Sequence, residues 1–310
     1  MKFLTLILAV LFSAGLHAEA TTPASPGMTP VKVTDNVWAI VGPLTNRTPE
    51  NLGNNATFGV IITSEGLILI DSGGSEKGAR ALHAVVRSIS DKPIKYVINT
   101  GGQDHRWFGN DYFSRQGAKI ISSEAAALDQ KRRFNDQVLR LTALIGDENF
   151  AGTVARHADL LFDDTYRLTL GDTSIEIYHK GQAHTPGDSY VWLPASNVVF
   201  SGDIVYVDRM LGIGEQSASK SWVQVFEAMA ALKPEVVVPG HGGPVPLEKA
   251  ERDTYDYLVA LRERTSAFIE EGGDISEISK IDQSDFAYLE NYDTLKGRNA
   301  QKVYSELEFE

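Results

Sequence analysis

Two histidines and two carboxylates stand where apolar runs give way to glycine-rich turns. His241 lies within Gly240-His241-Gly242 after the run 236–239, and Asp203 follows Ser201-Gly202 after 198–200. His184 opens His184-Thr185-Pro186-Gly187-Asp188 just before Tyr190, while Asp71-Ser72-Gly73-Gly74 follows 67–70. A further polar stretch, residues 101–110 with Asp104, His105 and Arg106, follows the apolar run 96–99. Loops along one sheet edge can converge on one pocket, with rigid strands holding the residues that the loops carry. Imidazole and carboxylate are the nitrogen and oxygen ligands of zinc sites, and glycines beside Asp203 and His241 permit tight turns and close backbone approach. The pattern therefore predicts a metal site on the loops that follow the strands.

The remaining polar candidates read differently. His83 sits in a helical pattern, His157 in a loop and His179 in a strand, and without turn residues fixing them they are assigned to surface or core. Asp71 is read as a buried support at a strand-end turn rather than as a ligand.

These residues need elements to hold them. Apolar or alternating runs at 31–41 and 58–70 predict strands, separated by a long loop, 42–55, rich in Pro, Asn, Thr and Gly. Loops of that length are often functional lids. Helical spacing is expected over 76–89, 124–144, 221–232, 247–271 and 299–307, and further strands at 94–98, 119–121, 166–170, 174–179, 189–193, 197–200 and 235–238. No internal linker divides the chain, so one sandwich with helices outside, spanning 31–310 and closing on C-terminal helices, is the expected architecture.

Composition bounds the function. Lys2, an apolar run over 3–16 and the small residues Ala18 and Ala20 have the layout of a cleaved signal peptide over 1–20, with a flexible leader at 21–30. The run is short for a bilayer span. With no cysteine in the chain there is neither a lipidation site behind the signal nor a disulfide framework, and export into a bacterial periplasm is expected. The formal charge is −12, and removing Lys2 and Glu19 leaves it unchanged. An acidic chain repels phosphate backbones, and the Lys131-Arg132-Arg133 cluster reads as a solvated helix face, so nucleic acid is a poor partner and a small molecule the expected one.

Taken in order, Asp71-Ser72-Gly73, Asn99-Thr100, Gly109-Asn110, His184-Thr185-Pro186-Gly187-Asp188, Gly202-Asp203 and Gly240-His241-Gly242 resemble the metallo-β-lactamase fold superfamily, over about 31–271. The resemblance implies an αββα sandwich, one or two zinc ions at the sheet edge, and hydrolysis of an ester, lactone, thioester, amide or phosphoester. It also exposes a departure. The family's His-x-His-x-Asp-His motif falls between Asn-Thr and Gly-Asn, where this chain reads Gly101-Gly102-Gln103-Asp104-His105-Arg106-Trp107-Phe108. In the ungapped register Gly101 and Gln103 take the first two histidine places, His105 the aspartate and Arg106 the last histidine. A shift of one residue instead makes Asp104-His105 the Asp-His pair.

Under either register His105 is the surviving ligand of the loop. The resemblance thus implies one zinc rather than two, held by His105, Asp203 and His241, with His184 as fourth ligand or nearby polar group and Gln103 as a weak ligand of the depleted first site. Asp104 or Asp203 would orient the attacking water. Arg106 would replace a lost metal's charge, bind a substrate carboxylate, or pair with a metal-site carboxylate. Trp107 and Phe108 are expected to pack the loop into the core, with 42–55 and 206–214 forming the pocket walls. Two classes stay open: a periplasmic zinc hydrolase acting on a small carbonyl compound, and a non-hydrolytic binding protein built on a degenerate site.

Overall fold

The computed structural model of the chain describes residues 27–310, so the segment read as a signal peptide and residues 21–26 of the leader lie outside the described residues. Strands β1 (Thr29–Lys32), β2 (Val37–Val41), β3 (Thr57–Ile62), β4 (Leu67–Ile70), β5 (Ile94–Asn99), β6 (Lys119–Ser123) and β7 (Leu160–Phe162) form one sheet in that order. Its pairs are antiparallel from β1 to β4 and parallel from β4 to β7. The second sheet runs β12-β11-β10-β9-β8, from β8 (Thr165–Leu170), β9 (Thr173–Tyr178), β10 (Tyr190–Leu193), β11 (Val198–Tyr206) and β12 (Val236–His241). Only β11 and β12 pair in parallel within it.

The period of two in each strand explains the layering. Ile68 and Ile70 of β4 face the core between the sheets, with Ile98, Ile121, Val191 and Phe200, while Leu67 and Leu69 face outward. That outer face is covered by α1 (Glu76–Ile89), whose Leu82, Val85 and Val86 join the cluster. Ser75 caps α1 by accepting from the Gly78 N–H at 2.9 Å. On the second sheet Val199, Val205 and Val237 face helices, among them α7 (Ser219–Ala230) and α9 (Asp256–Glu270), which supply Trp222, Phe226, Leu258 and Leu261. Among the described residues the other α-helices are α2 (Asp104–Trp107), α3 (Asn110–Arg115), α4 (Glu124–Arg132), α5 (Phe134–Ile145), α6 (Asp147–Phe150), α8 (Leu247–Ala250) and α10 (Tyr292–Leu307). The result is the expected αββα sandwich of two mixed sheets.

Several boundaries differ from the sequence reading. The leader ends earlier than expected, because Thr29 and Pro30 already pair with Val41 and Ile40. The helix expected over 124–144 breaks at Arg133, whose guanidinium turns back onto Asp129 and also reaches Gln103. Strand β11 continues past Phe200 to Tyr206 through a bulge at Gly202, held at φ 53°. A bulge re-aims side chains, and this one sits immediately before Asp203.

Candidate metal centre

The site is assembled where β4, β5 and β12 end and where β11 bulges at Gly202. After β4, Asp71 takes φ 64°, a left-handed conformation that a short polar side chain tolerates. Its buried carboxylate accepts from the Thr100 N–H at 2.7 Å, the Thr100 hydroxyl at 2.8 Å and Arg106 Nη1 at 2.8 Å. This is the supporting role expected of it. After β5, the Asn99 amide donates to the Arg106 carbonyl at 2.7 Å and to Asn110 Oδ1 at 2.9 Å, pinning both ends of the 101–109 segment. That segment, read as a loop, closes a helical turn as α2, anchored by buried Trp107 and Phe108 against Leu141 and Ile145.

Arg106 is fully buried. Its Nε and Nη2 donate to Asp203 at 3.2 and 2.7 Å, Nη1 to Asp71, and the remaining donors reach the Thr57 and Gly240 carbonyls at 3.2 and 3.1 Å. Burial works against its charge, but Asp203 and Asp71 outweigh that and keep it protonated. A Cβ on Gly240 would lie 2.6 Å from Arg106 Nη2 and 2.3 Å from the Gly202 carbonyl oxygen, so glycine there permits the close approach. The substrate-binding reading of Arg106 is corrected: every donor is spent inside the protein, and Arg106 positions Asp203 from behind.

His105, Asp203 and His241 converge in front of it. One donor atom from each lies within 4.8 Å of the others, and all three residues are buried. His105 Nε2 is 3.2 Å from Asp203 Oδ2, and His241 Nε2 is 3.3 Å from Asp203 Oδ1. His241 Nδ1 faces the Asn55 carbonyl at 2.9 Å and so carries the proton, leaving a lone pair on Nε2 aimed at a carboxylate. Burial pushes the His241 pKa well down despite Asp203, so the ring stays neutral. His105 Nε2 has no hydrogen-bond partner in its buried setting. Lone pairs facing a carboxylate are satisfied when a cation lies between them. Both histidines also have their Nδ1 atoms oriented by an outer group, as metal ligands do. The donor set fits a divalent metal.

The other sequence candidates fall around this cluster. Asp104 is buried, and its Oδ1 meets Arg47 at 2.7 Å and His105 Nδ1 at 3.1 Å. Burial would raise its pKa, but Arg47 and His105 hold the carboxyl below the ordinary range. Its Oδ1 orients His105 while its Oδ2 is buried without a hydrogen-bond partner. Neither Asp104 nor Asp203, the two carboxylates named for orienting the attacking water, lines the cavity before the cluster. His184 is not brought into the cluster. Its Nδ1 meets the Gly212 carbonyl at 3.0 Å, its ring stands on the cavity wall, and burial presses its pKa down to about 4. The Gln103 amide oxygen accepts from Arg133 at 3.3 Å, so this amide too is engaged elsewhere.

The lost histidine places have a physical counterpart at the two glycines. A Cβ at Gly101, the first histidine place in the ungapped register, would lie 2.5 Å from Asp188 Oδ1. One at Gly102, a histidine place only after the one-residue shift, would lie 2.0 Å from Asp129 Oδ2. Carboxylates fill the space into which side chains would project. Burial, aided by Asp203, pushes the Asp188 carboxyl up to about 8. The histidines assigned to surface or core do sit apart: His83 meets the Tyr112 hydroxyl, His157 stacks on Trp107, and His179 meets the Asp188 carbonyl.

In front of the cluster lies a cavity of about 170 Å³, well beyond the ~10–15 Å³ that one water needs. As expected, its walls come from the 42–55 loop, through Arg47 and Asn55, and from the 206–214 segment, through Tyr206 and Gly212. Sequence reasoning placed Tyr206 and Arg209 in the 206–214 wall and Arg47 in the 42–55 loop without giving them a role, although Tyr206 is stacked on His241 with ring centres 4.7 Å apart. Arg140 and Arg298 were missed, since they lie in separate helices and carry no local signal.

Comparison with known proteins agrees with this architecture. Among curated proteins, the chain is 25% identical over 191 residues to a metallo-beta-lactamase type 2 of Elizabethkingia meningoseptica, covering 60% of this chain and 68% of that protein. It is 24% identical over 249 residues to a linear primary-alkylsulfatase of Pseudomonas sp. (strain ATCC 19151), covering 69% of this chain but only 47% of that longer protein. Among solved structures, a metallo-beta-lactamase from Pontibacter korlensis superposes with a TM-score of 0.56 at 23% identity, over 72% of this chain and 95% of that one. The sec-alkylsulfatase Pisa1 from Pseudomonas sp. gives 0.68 at 18% identity, over 90% of this chain and 50% of that one. The family described as the Metallo-beta-lactamase superfamily matches residues 53–241, and the chain belongs to that superfamily.

Proposed function

We propose that this protein is a hydrolase that works with one zinc ion and cleaves an ester-type bond of a small molecule outside the cytoplasm. The observation that carries the reading is the buried trio of His105, Asp203 and His241, whose donor atoms face one another with no hydrogen bond on His105 Nε2. Superfamily membership, with β-lactamases and an alkylsulfatase among its relatives, supports hydrolysis as the reaction class. Export rests on the N-terminal apolar run, and the single metal on the carboxylates that fill the Gly101 and Gly102 flank.

His105, Asp203 and His241 would hold the metal, which when bound supplies Lewis acidity and lowers the pKa of water toward neutrality. The Asn55 carbonyl keeps His241 in the tautomer that presents Nε2, Asp104 and Arg47 both meet His105 Nδ1 and hold its ring in place, and Arg106 keeps Asp203 ionised and aimed. Tyr206 closes one face of His241 and limits water at the site. In the net reaction water's oxygen joins the acyl or sulfur centre, the ester bond breaks, and the alcohol leaves with a proton. A sulfate ester is the second reading, favoured by the alkylsulfatase likeness over 90% of the chain.

Metal analysis of purified protein tests the first claim. About one zinc per chain, lost in His105→Ala and in His241→Ala but retained in His184→Ala, is the expected result. Two metals per chain, or retention after both triad substitutions, would overturn it. Turnover of carboxylic and sulfate esters by the zinc-loaded protein then separates the two substrate readings.

A further inference from the structure

The cavity has the opposite charge character to the protein that contains it. The chain carries 41 Asp and Glu against 29 Lys and Arg, yet Arg47, Arg133, Arg140, Arg209 and Arg298 line the cavity, and among the described residues no Asp or Glu side chain does. Arg47 and Arg133 are paired with Asp104 and Asp129. The other three have no carboxylate within 4.0 Å among the described residues.

Arg209 is 8% exposed and donates to the Leu44 and Thr45 carbonyls at 2.7 and 2.8 Å and to Asn46 Oδ1 at 3.3 Å. Neutral acceptors orient that guanidinium but leave its charge uncancelled, which is costly for a cation so nearly buried. Burial indeed presses its pKa down. Arg140 and Arg298 are exposed, and among the described residues no hydrogen bond or ion pair engages either side chain. Arg298 approaches the cavity floor at Gly212 and Gly214, whose added Cβ atoms would lie 3.9 Å from its Nη2. Arg140 lines both this cavity and an adjoining one that also touches Asp104 and Asp136. A low-dielectric cleft lined by one sign of charge focuses field and concentrates the opposite ion.

We propose that the ligand of this cavity is a small anion, bearing a carboxylate, sulfate or phosphate group that Arg140 and Arg298 grip while Arg209 supplies unneutralised positive charge behind it. Planar guanidinium forks match such oxyanions in two-point contacts. The proposal builds on the hydrolase reading by naming its substrate class, but the anion site stands or falls separately.

Thermal melts of the wild type and of the double variant Arg140→Gln/Arg298→Gln, in sulfate, phosphate or glutarate against chloride at equal ionic strength, test it. Both residues are exposed, so the variant folds. The expected result is a rise in Tm for the wild type with at least one oxyanion, largely lost in the variant. No rise with any of the three, or the same rise in both proteins, overturns the proposal. With a pair of esters differing only by a distal carboxylate, the variant is expected to lose about tenfold more kcat/KM on the charged ester than on the neutral one; equal losses overturn it. A Tm rise that depends on the arginines, with neither ester turned over, keeps the anion site and rejects the hydrolase reading.

Discussion

Arg106 shows how one residue's meaning depends on its surroundings. In sequence it occupies a metal-ligand place of a familiar motif; in the structure it is a buried cation clamped between Asp71 and Asp203 at 2.8 and 2.7 Å. Removing one partner of a buried ion pair strands the other charge, at about 3–5 kcal/mol. Arg106→Gln is therefore expected to lower Tm on the order of 10 °C, with Arg106→Lys recovering part of the loss because lysine restores charge without the fork. An unchanged melt in Arg106→Gln would refute the clamp. Of the candidate ligands, His105, Asp203 and His241 were legible from residue type and strand-end position. His184 and Gln103 were equally legible as candidates, but whether their side chains reach the metal cluster depends on contacts with Gly212 and Arg133 that no spacing reveals.

At the scale of elements, the turn between β5 and α2 packs its two glycines against buried carboxylates, which is where the single-metal reading is decided. Gly101 packs against Asp188, which is itself fixed by the Thr185 N–H at 2.7 Å. Restoring the family residue by Gly101→His forces a side chain into occupied space, and overpacking costs roughly 1–3 kcal/mol. The expected outcome is a lower Tm with metal content still near one per chain; a second bound metal without loss of stability would show that the turn is more accommodating than its contacts indicate. Strands and the long helices were readable because their patterns are strong: residues 76–89 form a helix as expected, with buried Ala79, Leu82 and Val86 on one face. The bulge at Gly202, the break at Arg133 and the helical turn at Asp104–Trp107 were not readable, since each is imposed by tertiary contacts that override local pattern.

The whole molecule couples the site to pH through its buried groups. The His184 ring has a folded pKa of about 4 against an ordinary 6.5, because burial disfavours its charged form. Between those values the unfolded chain binds the proton and the folded one does not, so His184 makes stability fall as pH drops from about 6.5 to about 4. Asp188 acts in the opposite sense: with a folded pKa of about 8 it favours the folded state at low pH and loses that contribution as pH rises toward 8. The comparison that isolates His184 is thus wild type against His184→Gln, both metal-free. The variant's Tm is expected to fall less steeply between pH 6.5 and 4, and parallel curves would reject the assignment.

The order of strand-end motifs in the sequence determined the superfamily, the αββα architecture and three of the metal-binding candidates, because backbone turns at strand ends need particular residues locally and leave a linear trace. Net charge, a sum over the chain, pointed away from nucleic acid and said nothing about any single cavity. Only the tertiary structure decided that Arg106 faces inward, that carboxylates close the space beside Gly101 and Gly102, and that arginines from positions 47 to 298 meet around one cavity. Those are consequences of which distant segments pack together, and proximity across a fold is not encoded in spacing along the chain.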